Sequence, residues 1–155
     1  MLPAFLLIAA VVAAQVPPSS QGASDTFKFE YYRVRERLES DGSVRRTMEV
    51  SVILRAPSAV AQFGQLGLPY VKDYGDVQFN QVRVRKPDGT SRAVTDGVLE
   101  DLNPFGINDA SIPIDVRFKK LTIPRLEPGD RLSYSVLLTQ RPFVPGNLSG
   151  EMKFF

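Results

Sequence analysis

Six carboxylates fall in neighbouring pairs along the chain: Asp73 with Asp76, Glu100 with Asp101, and Asp109 with Asp115. Two acids facing each other across a sugar are all that a glycosidase needs, so these pairs are the first candidates for chemistry. Their spacing argues against that use. Neighbours on a strand point to opposite faces, so Glu100 and Asp101 converge on one substrate only if they lie in a loop. The acids also lack the D-x-D-x-D-G-like spacing of a calcium loop. Solvated turn carboxylates are the expectation, and no catalytic, cofactor-binding or metal-ligating residue is assigned.

What is missing narrows the chemistry further. The sequence contains neither Cys nor His. That removes Ser-His-Asp and Cys-His nucleophiles, zinc sites built on imidazole or thiolate, and most general bases of neutral pH. Basic residues cluster at Arg33, Arg35 and Arg37 and again at Arg83 and Arg85, and they would join into a stripe for an anionic polymer if their strands were neighbours. Glu30, Glu39 and Glu49 dilute such a stripe, and an ordinary solvated sheet face, with Arg shielding an edge, is expected instead. A net charge of +2, with acids and bases interspersed, gives no reason to expect nucleic acid as a partner.

Strands and turns must position all of these groups. Tyr32, Val34 and Leu38 alternate with Arg33, Arg35 and Arg37, and after Asp41-Gly42 the residues Val44, Met48, Val50, Val52 and Leu54 share one face. Period-two patterning on both sides of a turn predicts a hairpin. Parity sets its loop. A two-residue Asp41-Gly42 loop would place Val34 opposite Glu49, whereas a loop of Ser40, Asp41 and Gly42 pairs Leu38 with Val44, Val34 with Met48 and Tyr32 with Val50. The second register keeps apolar residues together, sets Arg33 opposite Glu49 and Glu36 opposite Arg46, and puts Gly42 where a left-handed residue is required.

Lys86-Pro87-Asp88-Gly89-Thr90 repeats the device and makes Val82 face Val94. Val116 and Phe118 lie in one phase and Leu121 and Ile123 in the other, which predicts a β-bulge near Lys119-Lys120. Pro128-Gly129 predicts a turn, followed by a strand alternating Leu132, Tyr134, Val136 and Leu138 with Arg131, Ser133, Ser135 and Thr139. Only Ser58 to Gly64, opened by Pro57, has helical character, enough for one turn. Short strands without a long 3.6-period segment predict an all-β fold, an antiparallel sandwich or an open twisted sheet.

Organisation follows from composition. Residues 1–14 read as a signal peptide: an apolar run from Leu2 to Ala14, shorter than the roughly 20 residues a bilayer crossing takes, although its start carries no Lys or Arg. Residues 15–25 are mostly Pro, Ser, Gly and Gln and read as a flexible tether. A β domain spans 26–155, a size suited to one core, and its apolar Phe154-Phe155 ending predicts a domain cut short. The expected destination is periplasmic or extracellular, with no stable membrane span. The sequon Asn147-Leu148-Ser149 implies surface exposure at most.

Three segments taken in order carry a resemblance: Leu68-Pro69-Tyr70; Val82 to Thr90; and Asp115-Val116-Arg117-Phe118 leading to Ile123 through Asp130. From about Phe27 to Phe155 the chain resembles the bacterial domain of unknown function found before transglutaminase-like domains in exported proteins. Val71 and Ile114 depart from the residues usual at their positions. The resemblance implies a β-rich, non-catalytic module followed by a Cys-His-Asp core, which this chain cannot contain. The expected role is to orient or present protein or peptide substrate to that downstream domain. A cell-envelope polysaccharide-binding module and a carboxylate-based hydrolase are the alternatives, and no cofactor is expected.

Overall fold

The computed structural model describes residues 25–103 and 115–142. The leader at 1–14, nearly all of the tether, Asp109, the Asn147 sequon and the Phe154-Phe155 ending lie outside the described residues. The described chain runs β1 (Phe27–Leu38), β2 (Val44–Leu54), α1 (Pro57–Phe63), β3 (Gln65–Val71), β4 (Gly75–Arg85), β5 (Ser91–Ala93), β6 (Val98–Leu102), β7 (Val116–Thr122) and β8 (Arg131–Gln140). All pairings are antiparallel. A five-stranded sheet has the order β1-β2-β8-β4-β5, and a three-stranded sheet the order β3-β7-β6. The fold is therefore mostly β and sandwich-like, as the patterning predicts.

The first hairpin forms in the register that parity demands. Leu38 pairs with Val44, Val34 with Met48 and Tyr32 with Val50. Gly42 takes φ +82°, and its N–H donates to the Glu39 carbonyl at 3.0 Å. The Asp41 carboxylate accepts from both the backbone N–H (2.9 Å) and the hydroxyl (2.6 Å) of Ser43. Asp88 and Thr90 make the same two bonds at 2.8 and 2.5 Å, with Gly89 at φ +91°. One short motif thus builds both turns. Val94 donates to Val82 at 2.9 Å, so these residues face each other as expected.

Two expectations need correction. No bulge occurs at Lys119-Lys120: β7 pairs residue for residue with β3 from Val71–Val116 to Gln65–Thr122, and with β6 from Val98 to Leu102. The change of apolar phase has another cause. Leu121 faces the core beside Leu66, while Phe118 lies on the opposite face of the small sheet, its ring filling the space above Gly67 where a Cβ would stand. The irregularities lie elsewhere, between Phe29 and Tyr31 in β1 and between Asn80 and Arg83 in β4, where Gln81 adopts φ +51°. The helix is also longer than the single turn anticipated, seven residues with Pro57 inside its first turn.

The core sits between the inner face of the large sheet and a layer made by α1 and the small sheet. Val52, Leu54, Val82, Val84 and Leu132 meet Ala59, Phe63, Leu66, Leu121 and Ile123 there. Phe27 and Phe29 seal one end by packing edge-on against Phe63, with ring centroids 5.2 and 6.0 Å away. Removing such apolar surface from water is the main driving force for the fold, and no disulfide assists it. Among the described residues, no helix is long and apolar enough to cross a membrane.

Candidate functional site

The structure gathers one acid from each of the three sequence pairs at the polar end of the small sheet. Asp101 on β6 accepts the Tyr70 hydroxyl at 2.6 Å. Across that tyrosine, the Lys119 ammonium sits 5.2 Å from the ring centroid and donates to Asp76 at 2.5 Å. Asp115 receives two bonds from Arg117, at 2.8 and 2.9 Å. The strand pairings explain the convergence, since Tyr70 lies opposite Arg117 and Asp101 opposite Lys119.

Convergence does not make these acids reactive. Burial pushes the Asp76 carboxyl up, but hydrogen bonds from Lys119 and Gln78 outweigh it and hold the group below the ordinary carboxylate range. The Arg117 hydrogen bonds hold Asp115 low as well. Neither can be the protonated acid that glycoside cleavage requires. Burial, and then the bond to Asp101, pushes the Tyr70 phenol up to about 12, so it stays protonated and is no base at neutral pH. Glu100 points the other way and pairs with Lys120 at 2.6 Å, as adjacency on a strand dictates. Asp73 contributes a backbone carbonyl to Arg141 at 2.7 Å. Among the described residues, no cluster of three acids is placed to hold a metal ion.

Two of the stretches that carry the resemblance, Val82 to Thr90 and Ile123 through Asp130, meet in a clasp between two turns. Asp130 is fully buried; its Oδ2 accepts from Lys86 Nζ at 3.0 Å and from the Glu127 backbone N–H at 2.9 Å. Lys86 also reaches Glu127 at 2.6 Å, and the Pro87 ring occupies the space a Cβ on Gly129 would approach to 3.0 Å. Hydrogen bonds from the lysine hold the Glu127 carboxyl below its usual range. The backbone of the same turn is stitched to β2, with Leu54 donating to Asp130 at 2.8 Å. These residues fix the ends of β2, β4 and β8 to one another.

The two arginine groups do not form a stripe. They lie on the same outer face of the large sheet, but β2 and β8 separate them. Arg33 stands opposite Glu49 as expected, yet the ion pair is made by Arg35, at 3.0 Å, and Arg33 instead lies 5.1 Å from the Tyr31 ring centroid. Glu36 and Arg46 pair directly at 2.8 Å.

What the sequence does not disclose is how open β1 is. It ends the five-stranded sheet, and among the described residues no strand pairs with its outer side. Its first residues pack against the core, but Tyr31 (40% exposed), Tyr32 (45%), Val34 (46%) and Leu38 (51%) do not. The apolar register is correct although half of that face lacks cover. Tyr31 and Tyr32 project to opposite faces, so they make no flat aromatic platform of the kind a polysaccharide would stack on. Two shallow concavities among the described residues measure about 220 and 350 Å³. Arg85, Lys86 and Arg131 help line the first, and Asp41, Arg45 and Tyr74 the second.

Two antiparallel sheets, with an outer edge on β1 that no described strand covers and with their gathered acids committed to partners, define a sandwich-like β module. The chain belongs to a family described as a domain of unknown function with solved structure, DUF3857, which matches residues 40–155. That match starts after β1, later than the Phe27 at which the resemblance begins. No curated protein matches the chain in sequence. Its fold is similar to part of a crystal structure from Parabacteroides distasonis described as a candidate protease, with a TM-score of 0.68 at 18% identity. The likeness covers 77% of this chain and 24% of that one, so the chain spans about a quarter of that protein's length. Two carbohydrate-binding structures from the cipA scaffoldin of Clostridium thermocellum also align. The family 3a module has a TM-score of 0.39 at 10% identity over 74% of this chain and 75% of its own, and the CBM3a-L domain with linkers has 0.40 at 13% over 76% and 69%. Scores this low carry no inference about a ligand.

Proposed function

We propose that this domain is a non-catalytic accessory part of a longer exported protein and that it presents extended peptide substrate to a transglutaminase-like or protease-like domain of the same chain. The observation that carries the reading is the outer edge of β1, which no strand among the described residues covers. An edge strand offers unpaired backbone donors and acceptors in a fixed row, which is what an extended peptide needs in order to bind by strand addition. The fold likeness to a quarter of a longer candidate protease supports a role within a larger protein. Paired carboxylates, together with a sequence free of Cys and His, favour a role in binding over one in bond cleavage. Export rests on the apolar run from Leu2 to Ala14.

Amide exchange with and without an extended peptide tests the central claim. Binding should slow exchange along Tyr31–Leu38, whereas protection confined to other strands would refute presentation by this edge. The chain should leave casein-like peptides and glycans uncut, and turnover lost on Asp101→Ala would restore the hydrolase reading. Secreted protein should begin at or near Gln15 on N-terminal sequencing. Retention of the uncut chain in the cytoplasm would count against export.

A further inference from the structure

We infer that the edge of β1 selects segments in which acidic and apolar side chains alternate, a specificity that rests on the presentation role proposed above. Beyond the irregularity at Glu30, the two faces of β1 differ in chemistry. Arg33, Arg35 and Arg37 line the outer face, and Tyr32, Val34 and Leu38 the inner one. The remaining inner residue, Glu36, is neutralised by Arg46. A strand added to this edge places successive side chains beside these two rows in turn. One face therefore favours carboxylates and the other apolar groups.

The charge on the outer face is in excess. Arg45 stands directly opposite Arg37, a like-charge pairing that costs stability, and among the described residues the four arginines there meet only Glu49 and Glu39. The Arg35 and Arg37 side chains are 68% and 79% exposed, and their present ion pairs are of the weak, solvated kind. An incoming carboxylate would meet guanidinium groups that remain largely free to bind it. Arg on an edge also repels unwanted strands, but here it does so selectively. It leaves the apolar row open and penalises only partners that bring apolar or basic groups to the arginine side. A second copy of β1 is among those penalised, because antiparallel self-pairing would bring two arginine rows together.

A panel of blocked eight-residue peptides tests the inference on the chain of this sequence. Alternating Glu and Val should bind with exchange protection over Tyr31–Leu38. Alternating Lys and Val should bind about tenfold more weakly, a ratio set by several cross-strand charge pairs and diminishing as salt is raised. Arg33→Glu combined with Arg37→Glu, both at exposed positions, should reverse the preference while circular dichroism stays unchanged. Equal binding of the acidic and basic alternating peptides would overturn the selectivity and leave presentation standing. So would equal binding of a peptide with its four Glu and four Val in separate blocks. Failure of every peptide to protect β1 would overturn both. Protection of the β1 edge without peptide, or a dimer in light scattering, would show the edge already occupied and would also overturn the inference.

Discussion

The two edges of the five-stranded sheet are kept in opposite ways. At one end, β5 is three residues long, so it offers little to a passing strand. At the other, β1 runs for twelve residues, and only its first part is sealed by Phe63 of α1. Shortness limits what that edge strand can pair with, and β5 covers only Arg83–Arg85 of β4. A long strand with a charged face and an apolar face closes its edge only to partners of the wrong pattern. The contrast divides the described sheet into a packed end and an open end that can be probed separately.

The largest effect should come from the packed end. Leu54→Ala removes a fully buried side chain from the core and should cost about 2–5 kcal/mol in urea denaturation. Leu38→Ala, on the same hairpin but half exposed, should change stability by no more than about 0.5 kcal/mol. Comparable losses at both sites would erase the distinction between the two ends.

Next comes the clasp at the end of β4 that leads into β5. Asp130→Ala strips Lys86 and the Glu127 amide of their buried acceptor and should cost about 1–3 kcal/mol. Exchange should quicken first in β4 and β5, with β1 following only on global unfolding.

The turn acids give a smaller effect that depends on pH. Hydrogen bonds from the Thr90 hydroxyl and N–H hold Asp88 below its ordinary value of 3.8, and those from Ser43 do the same for Asp41. A carboxyl depressed in the folded state stabilises above its unfolded pKa, and that contribution is lost as pH falls through the folded one. Asp41→Ala and Asp88→Ala should therefore lower Tm at neutral pH and converge on the parent well below pH 3.8. A gap that persists in acid would mean that the turns lost more than a charged acceptor. The smallest change is expected for Arg35→Gln, whose exposed pair with Glu49 should alter stability by about 0.5 kcal/mol or less.

Local features were legible in the sequence because local chemistry determines them. The Gly42 loop, the Leu38–Val44 register and the turn at Gly89 all follow from parity and from which residue tolerates positive φ. Strand order was not legible. Nothing in the Arg83 or Arg33 segments reveals that β8 will enter between β2 and β4, so whether those arginines adjoin was undetermined from sequence. The bulge assigned to Lys119 failed for a related reason. In sequence a switch of apolar phase looks like a backbone irregularity, but in the fold Gly67, distant in sequence, gives space to the Phe118 ring. The gathering of Asp76, Asp101 and Asp115 likewise depends on three strands whose pairing no spacing rule could supply.

The central place of β8 also bears on how the chain is made. It pairs with β2 on one side and β4 on the other, yet it leaves the ribosome after both. Until β8 is made, the two hairpins β1-β2 and β4-β5 lack the strand that lies between them. The five-stranded sheet is then acquired in one late step, through contacts that span much of the chain, and such non-local closure is intrinsically slow. A polypeptide that ended before Arg131 would consequently lack the strand that joins those two hairpins into one sheet.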